Sequence, residues 1–292
     1  MTSPRILSLA EGRLAGLAWG EPEAPPWLAL HGWLDNAASF SRLAPVLASQ
    51  LGVRIVAIDF AGHGHSWHTP GDYAIWDYCD DVLDAADALG ATRPTLLAHS
   101  MGAGVACLLA AALPERVARL ALIDGLGAVT TAAEEAPRQL RRGLLGHRRS
   151  PSRPARYADE EEAVFARVKG GATPVRAEAI RPVVLRNLEE SEDGRLGWRT
   201  DPRLARPSPV RLTPEQVVAC LAEIACPTLL IEGEDGILGE TERARSARAA
   251  LPGLERRVLT GGHHLHLEPE AVSAVAETIA SWVLSGREPS DR

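Results

Sequence analysis

The sequence predicts an α/β protein built on a mostly parallel, doubly wound sheet with helices on both faces. Three observations carry that reading. Short apolar runs recur, and each stops at glycine or a polar residue: PWLALHG, VRIVAIDFAGHG, PTLLAHS, RLALIDG, PTLLIEGED and RRVLTGGHH. Continuous apolar runs suit strands buried on both faces, as in a parallel sheet. Helical patterns alternate with them, at Ser39–Ser49, Ile75–Leu89, Met101–Leu113, Glu240–Leu251 and Ala271–Leu284; such alternation favours parallel strands joined by crossovers. Finally, Ser100, Asp124 and His263 sit at the carboxyl ends of these runs, where open α/β sheets place their sites.

The elements follow in order. ILSLAEGRLAGLAWG (Ile6 to Gly20) reads as two short strands about a Glu-Gly turn. The six apolar runs and their helices come next, interrupted once. Residues 128–212 show no strong strand, many prolines, and 17 basic against 12 acidic residues. The rest of the chain is acidic, with 14 basic and 26 acidic residues. This predicts a core domain of residues 1–127 and 213–292 and a mostly helical, arginine-rich cap over 128–212. No internal repeat is visible, and the tail GREPSDR reads as a frayed end.

Composition narrows the function. Hydrophobic residues make up 46% of 292, enough for a sizeable core, but aromatics are only 4%. Ala, Leu, Val and Ile must therefore fill it. A net charge of −7 argues against sequence-independent nucleic-acid binding. The four cysteines lack metal-ligand spacing, and Cys107 and Cys220 fall in apolar helical patterns, as buried free thiols do. No stretch reads as a signal peptide or membrane span. The expectation is a soluble cytoplasmic monomer or homodimer with no membrane partner and no cofactor.

The stretch LLAHSMGAGV carries the chemistry. Ser100 follows a strand and opens a helix. A capping serine is the plain alternative, since its oxygen accepts an orphan backbone N–H. The small residues Ala98, Gly102 and Gly104 decide for a nucleophile elbow, a strained turn that bulky neighbours would obstruct. A serine nucleophile needs a base. His263, in TGGHHLHLEPE, lies at a strand end late in the chain; His264 and His266 are its rivals, His264 being the fallback. A third group must orient the imidazole. The common G-x-x-D spacing from Gly233 falls on Gly236 rather than an acid, and Asp235 is one residue early. Asp124, ending the strand after the nucleophile strand, is favoured over Asp235 by its placement.

Acyl transfer also needs donors for an oxyanion. The backbone N–H of Met101 is one, and that of Trp33, in His31-Gly32-Trp33, the other; Gly32 permits close approach. His31, Gly32, His99 and Trp198 are pocket candidates. Trp198 reads foremost as an anchor for the cap. The cluster GHGHSWH (Gly62 to His68) invites a metal reading, but H-x-H-x-D-H would need Asp where Trp67 stands. HHLH has no carboxylate or cysteine at ligand spacing either. No metal is expected. Asp59 should instead hydrogen-bond the glycine-rich turn.

Taken together, HGW, DFAGHGHS, AHSMGA and GGHHLHLE resemble the α/β-hydrolase superfamily, and HGWLDNAASF, DFAGHGHS and LALIDGLG resemble its serine-hydrolase-like group. The motifs span most of residues 27–268. The resemblance implies an eight-stranded sheet with a lid after the sixth strand, Ser100 as nucleophile, His263 as base, and the Trp33 and Met101 N–H groups as oxyanion hole. Ala98 and Gly236 depart from the pattern; members with the acid after strand six support Asp124. The expected function is serine hydrolysis of an ester or related acyl compound, with a small acyl substrate that the cap arginines would suit if anionic. A C–C bond hydrolase or acyltransferase with the same triad, or a binding protein with a vestigial triad, are the alternatives.

Overall fold

A computed structural model describes residues 3–149 and 155–286. Most of the tail GREPSDR, from residue 287 on, lies outside the described residues. An eight-stranded sheet forms the centre, in the order β1-β2-β4-β3-β5-β6-β9-β10. β1 (Arg5–Leu9) and β2 (Leu14–Trp19) are an antiparallel hairpin whose turn puts Ala10, Glu11 and Gly12 at positive φ. β2 pairs antiparallel with β4 (Arg54–Ile58). From there β3 (Pro26–Leu30), β5 (Thr95–His99), β6 (Arg119–Ile123), β9 (Thr228–Asp235) and β10 (Glu255–Gly262) continue in parallel.

The apolar runs are continuous because both faces of the sheet are covered. Successive strand residues point to opposite faces. Leu28 and Leu30 enter one core with Val56, Ile58, Leu96 and Leu120, while Trp27, Ala29, Ile55 and Leu97 enter the other. α1 (Leu43–Leu51) and α9 (Val272–Ser285) close the second face. The first is closed by α2 (Tyr78–Ala88), α3 (Met101–Ala112), α7 (Pro214–Ala222) and α8 (Glu242–Ala250). Each fully buried Leu or Ile adds about 2 kcal/mol relative to exposure. All four cysteines are free; Cys107 is buried, whereas Cys220 is only half-buried, contrary to expectation.

β3 lies between β4 and β5, so the chain turns outward after β3 and returns to start β5 on its other side. Crossovers leaving in opposite directions open a crevice at the carboxyl ends of these two strands. The loop Gly32–Trp33 and Ser100 line that crevice.

Between β6 and β9 the chain leaves the main sheet. It forms α4 (Ala136–His147), α5 (Glu160–Gly170) and α6 (Ala177–Asn187). A hairpin of β7 (Leu188–Glu190) and β8 (Leu196–Trp198) follows. The sequence shows no strong strand here. The strands are three residues long, too short for a period, and the overlooked signal was Asp193-Gly194, a turn with Gly194 at φ 74°. Val164, Ile180, Val183 and Val184 give the segment a small core of its own, with Leu267 from the main domain.

Polar contacts tie this segment down. Arg186 of α6 grips buried Asp59 after β4, with Nη2 2.7 Å and Nε 3.1 Å from the carboxylate. Asp59 also accepts from the backbone of Ala37 (2.7 Å) and His65 (2.9 Å), so it does bond the glycine-rich turn. Asn36 Nδ2 donates to Val183 O (2.8 Å), and the Tyr73 hydroxyl to Asp201 (2.7 Å). The anchoring role expected of Trp198 falls to these groups; its indole donates to the Tyr157 hydroxyl within the same segment (2.9 Å).

Candidate active site

Ser100 sits at the turn from β5 into α3 with φ 52° and ψ −114°. A side chain at positive φ away from the αL well stores roughly 1–3 kcal/mol of strain, which surrounding structure must impose. Missing side chains permit the turn. A Cβ on Gly102 would lie 2.3 Å from Leu30 O, and one on Gly125 2.6 Å from Ser100 O. Backbone bonds hold it: Ser100 N to Ile123 O (3.1 Å) and Gly102 N to His31 O (3.1 Å).

His263, in the loop after β10, places Nε2 3.0 Å from Ser100 Oγ. Its Nδ1 lies 2.6 Å from Asp124 Oδ2. Asp124 directly follows β6, at φ 41°, and is fully buried. It also accepts from the Ile237 N–H (2.9 Å) and the Gly233 N–H (3.3 Å). Asp235 is exposed, and His263 Nδ1 is bonded to Asp124 instead, so the alternative acid is set aside. The irregular spacing has a steric cause. A Cβ on Gly236 would lie 2.1 Å from Asp124 Oδ1. The glycine leaves the space that the carboxylate from the neighbouring strand fills.

The rival histidines are buried elsewhere. His264 Nε2 faces Asp35 Oδ2 at 3.3 Å, and His266 Nε2 bonds Ser39 Oγ at 2.9 Å. His99 Nε2 donates to the His263 carbonyl at 2.9 Å, holding the loop of His263 from behind. Burial, then the neighbouring histidines, drives His99 well below its ordinary pKa, so the ring is neutral. Burial likewise pushes His266 down to about 3. His31 is corrected as a pocket residue. It is fully buried, donates from Nδ1 to Gly32 O (2.7 Å), accepts from the Phe60 N–H (3.0 Å), and lines neither cavity at Ser100.

Two cavities meet at Ser100. One, of about 670 Å³, is lined by Gly32, Trp33, Asp35, His99, Arg167, Trp198 and His263. The other, of about 400 Å³, is lined by Trp33, Tyr73, Met101, Leu126, Arg206, Arg211 and Arg243. Ser100 and Trp33 belong to both. Among the described residues, neither the Met101 nor the Trp33 N–H is taken up by a protein acceptor. Of the inward arginines, Arg167 is paired with Asp35 at 3.0 Å and Arg203 with Asp201 at 2.6 Å. Arg206, Arg211 and Arg243 have no carboxylate partner among the described residues. Within GHGHSWH, His63 packs against His31 and bonds Ala61 O at 3.1 Å. No histidine of that loop joins a metal-ligating group among the described residues.

A family model described as alpha/beta hydrolase fold matches residues 25–270. The chain belongs to this family. A serine hydrolase-like protein of Dictyostelium discoideum is 32% identical, covering 95% of this chain and 80% of the relative. That likeness places the chain in the serine-hydrolase-like group of α/β hydrolases. A crystal structure of a hypothetical protein from Pseudomonas aeruginosa PAO1 is 45% identical with TM-score 0.87, over 97% of this chain and all of that one. The thioesterase domain from the curacin biosynthetic pathway is 25% identical with TM-score 0.81, over 98% of this chain and 100% of that chain. No described helix of this hydrolase is long and apolar enough to cross a membrane.

Proposed function

We propose that this α/β hydrolase cleaves a carboxylic ester or thioester through an acyl-enzyme at Ser100. The unbroken relay from Asp124 through His263 to Ser100, at 2.6 and 3.0 Å, is the observation that carries the reading. Ser100 Oγ attacks the carbonyl carbon as His263 Nε2 takes its proton. The oxyanion accepts from the Met101 and Trp33 N–H groups. His263 then protonates the leaving group, and water repeats the sequence to release the acid and restore the serine. Asp124 keeps the Nδ1 proton in place and stabilises the imidazolium.

The two cavities meeting at Ser100 suit a substrate with an acyl arm and a leaving-group arm. Arg206, Arg211 and Arg243 around the smaller cavity favour a leaving group bearing carboxylate or phosphate. If matched neutral and anionic thioesters react equally fast, that assignment fails.

Covalent labelling by a fluorophosphonate tests the core of the proposal, with wild type beside Ser100→Ala, Asp124→Asn and Asp235→Asn. Labelling should vanish in Ser100→Ala, slow by about 10⁴ in Asp124→Asn, and stay unchanged in Asp235→Asn. A folded wild type that never labels overturns the proposal. Equal losses in both acid variants overturn the role of Asp124.

A further inference from the structure

Behind His263 lies a buried group that hydrolysis does not use. Asp35, His99 and His264 come from the loop after β3, the end of β5 and the loop after β10. Ligand atoms from the three lie within 4.8 Å of one another. Asp35 Oδ2 is 3.3 Å from His264 Nε2 and 3.9 Å from His99 Nδ1. Ligands about 2.0–2.1 Å from a tetrahedral zinc ion stand roughly 3.3 Å apart. The Asp35–His264 pair already stands at that spacing, and a small side-chain shift would bring His99 Nδ1, 3.9 Å from Asp35, to it.

The hydrogen bonding points the same way. His99 Nε2 donates to the His263 carbonyl, so in the neutral ring Nδ1 carries a bare lone pair. That Nδ1 is buried with no hydrogen-bond partner. A buried acceptor left unmatched is costly, and a cation beside Asp35 would satisfy it. A ligating imidazole ordinarily has its second nitrogen bonded to a carbonyl in this way. Asp35 Oδ1 is likewise engaged, by Arg167 at 3.0 Å, while Oδ2, which accepts a long bond from Ser39 Oγ at 3.4 Å, faces both imidazoles. All three side chains line the larger cavity, which gives an ion its entry and its fourth ligand.

We propose that Asp35, His99 and His264 form a site for a divalent cation of zinc type, with its open position toward the larger cavity. Binding replaces the His264 Nε2 proton, which passes to Nδ1 or to solvent. An anion such as hydroxide or chloride completes the shell and offsets the charge of Arg167. The site also bears on catalysis, a consequence that rests on the hydrolase reading above. The His99 and His264 rings lie 4.5 and 5.0 Å from that of His263. A dication held by both opposes the positive charge that His263 must acquire. Zinc should therefore inhibit.

The test uses the full chain and Co²⁺ as the optical probe. Wild type should bind one Co²⁺ per chain with the strong visible bands of tetrahedral coordination. Ser100→Ala should do the same, which keeps the readout independent of hydrolysis. His264→Gln and Asp35→Asn, checked for folding by circular dichroism, should lose the bands. Saturating Zn²⁺ should slow ester hydrolysis by wild type at least about tenfold, with each ligand variant largely insensitive relative to its own metal-free rate. X-ray absorption of the wild-type Zn²⁺ complex should show two imidazoles and an oxygen shell, which covers the case of a variant that does not fold. An all-oxygen or sulfur-containing shell overturns the site, as do tetrahedral bands that persist in both folded variants. Binding without inhibition keeps the site and removes its effect on His263.

Discussion

Gly236→Ala puts a single methyl group against the carboxylate that orients His263. The added Cβ would stand 2.1 Å from Asp124 Oδ1 and 2.7 Å from Oδ2. Carbon and oxygen cannot approach so closely, and the carboxylate must retreat by roughly 1 Å. The Asp124–His263 separation, now 2.6 Å, would then reach a length that no longer counts as a hydrogen bond. A misplacement of about 1 Å costs on the order of 10² in rate. Full loss of imidazole orientation costs about 10⁴. The expectation is a fall in kcat between these bounds with little change in KM, because no substrate-facing group is altered. Hydrolysis of p-nitrophenyl esters measures it, and thermal unfolding confirms the fold. A folded Gly236→Ala with kcat within about threefold of wild type refutes the steric account of the missing acid. The exchange Asp124→Gly with Gly236→Asp removes the clash and should recover more activity than Asp124→Gly alone.

The remaining predictions concern stability. Arg186→Ala leaves buried Asp59 with only its two backbone donors; it should lower stability by about 3 kcal/mol in urea unfolding, and a loss under about 1 kcal/mol would mean that the pair does not hold α6 to the core. Burial raises the Asp81 carboxyl to about 7, although it accepts from the Ala61 N–H at 2.8 Å. Between about pH 4 and pH 7 the folded state therefore keeps a proton that the unfolded state, with its usual pKa near 3.9, has released. The contribution of Asp81 to stability falls as pH rises through that window. Asp81→Asn keeps an acceptor for Ala61 and should raise Tm at pH 8 more than at pH 4; an equal shift at both would contradict the burial effect.

Much of the site was legible in the sequence because its residues end strands. A strand buried on both faces shows itself as an unbroken apolar run, and the first polar residue after it marks the carboxyl edge of the sheet. Ser100, Asp124 and His263 could be read as such edge positions without knowing which strands are neighbours. The short β7–β8 hairpin was hidden, since three residues carry no period. His31 looked like a pocket residue from its place after β3, but its ring turned inward to serve Phe60 and Gly32.

The sequence by itself determined the order of the eight strands of the main sheet, the serine in its elbow of small residues, and a late histidine to serve it. Only the tertiary structure decided which acid faces that histidine, and which histidine of HHLH faces the serine. The reason is lateral pairing. β6 lies beside β9, with Ile123 opposite Ile231, so Asp124 emerges next to the turn where an acid after β9 would stand, and Gly236 leaves it the room. The same holds for Asp35, far from HHLH in the chain yet 3.3 Å from His264 in the fold. Distances along a sequence cannot express adjacency across a sheet, and both choices depend on it.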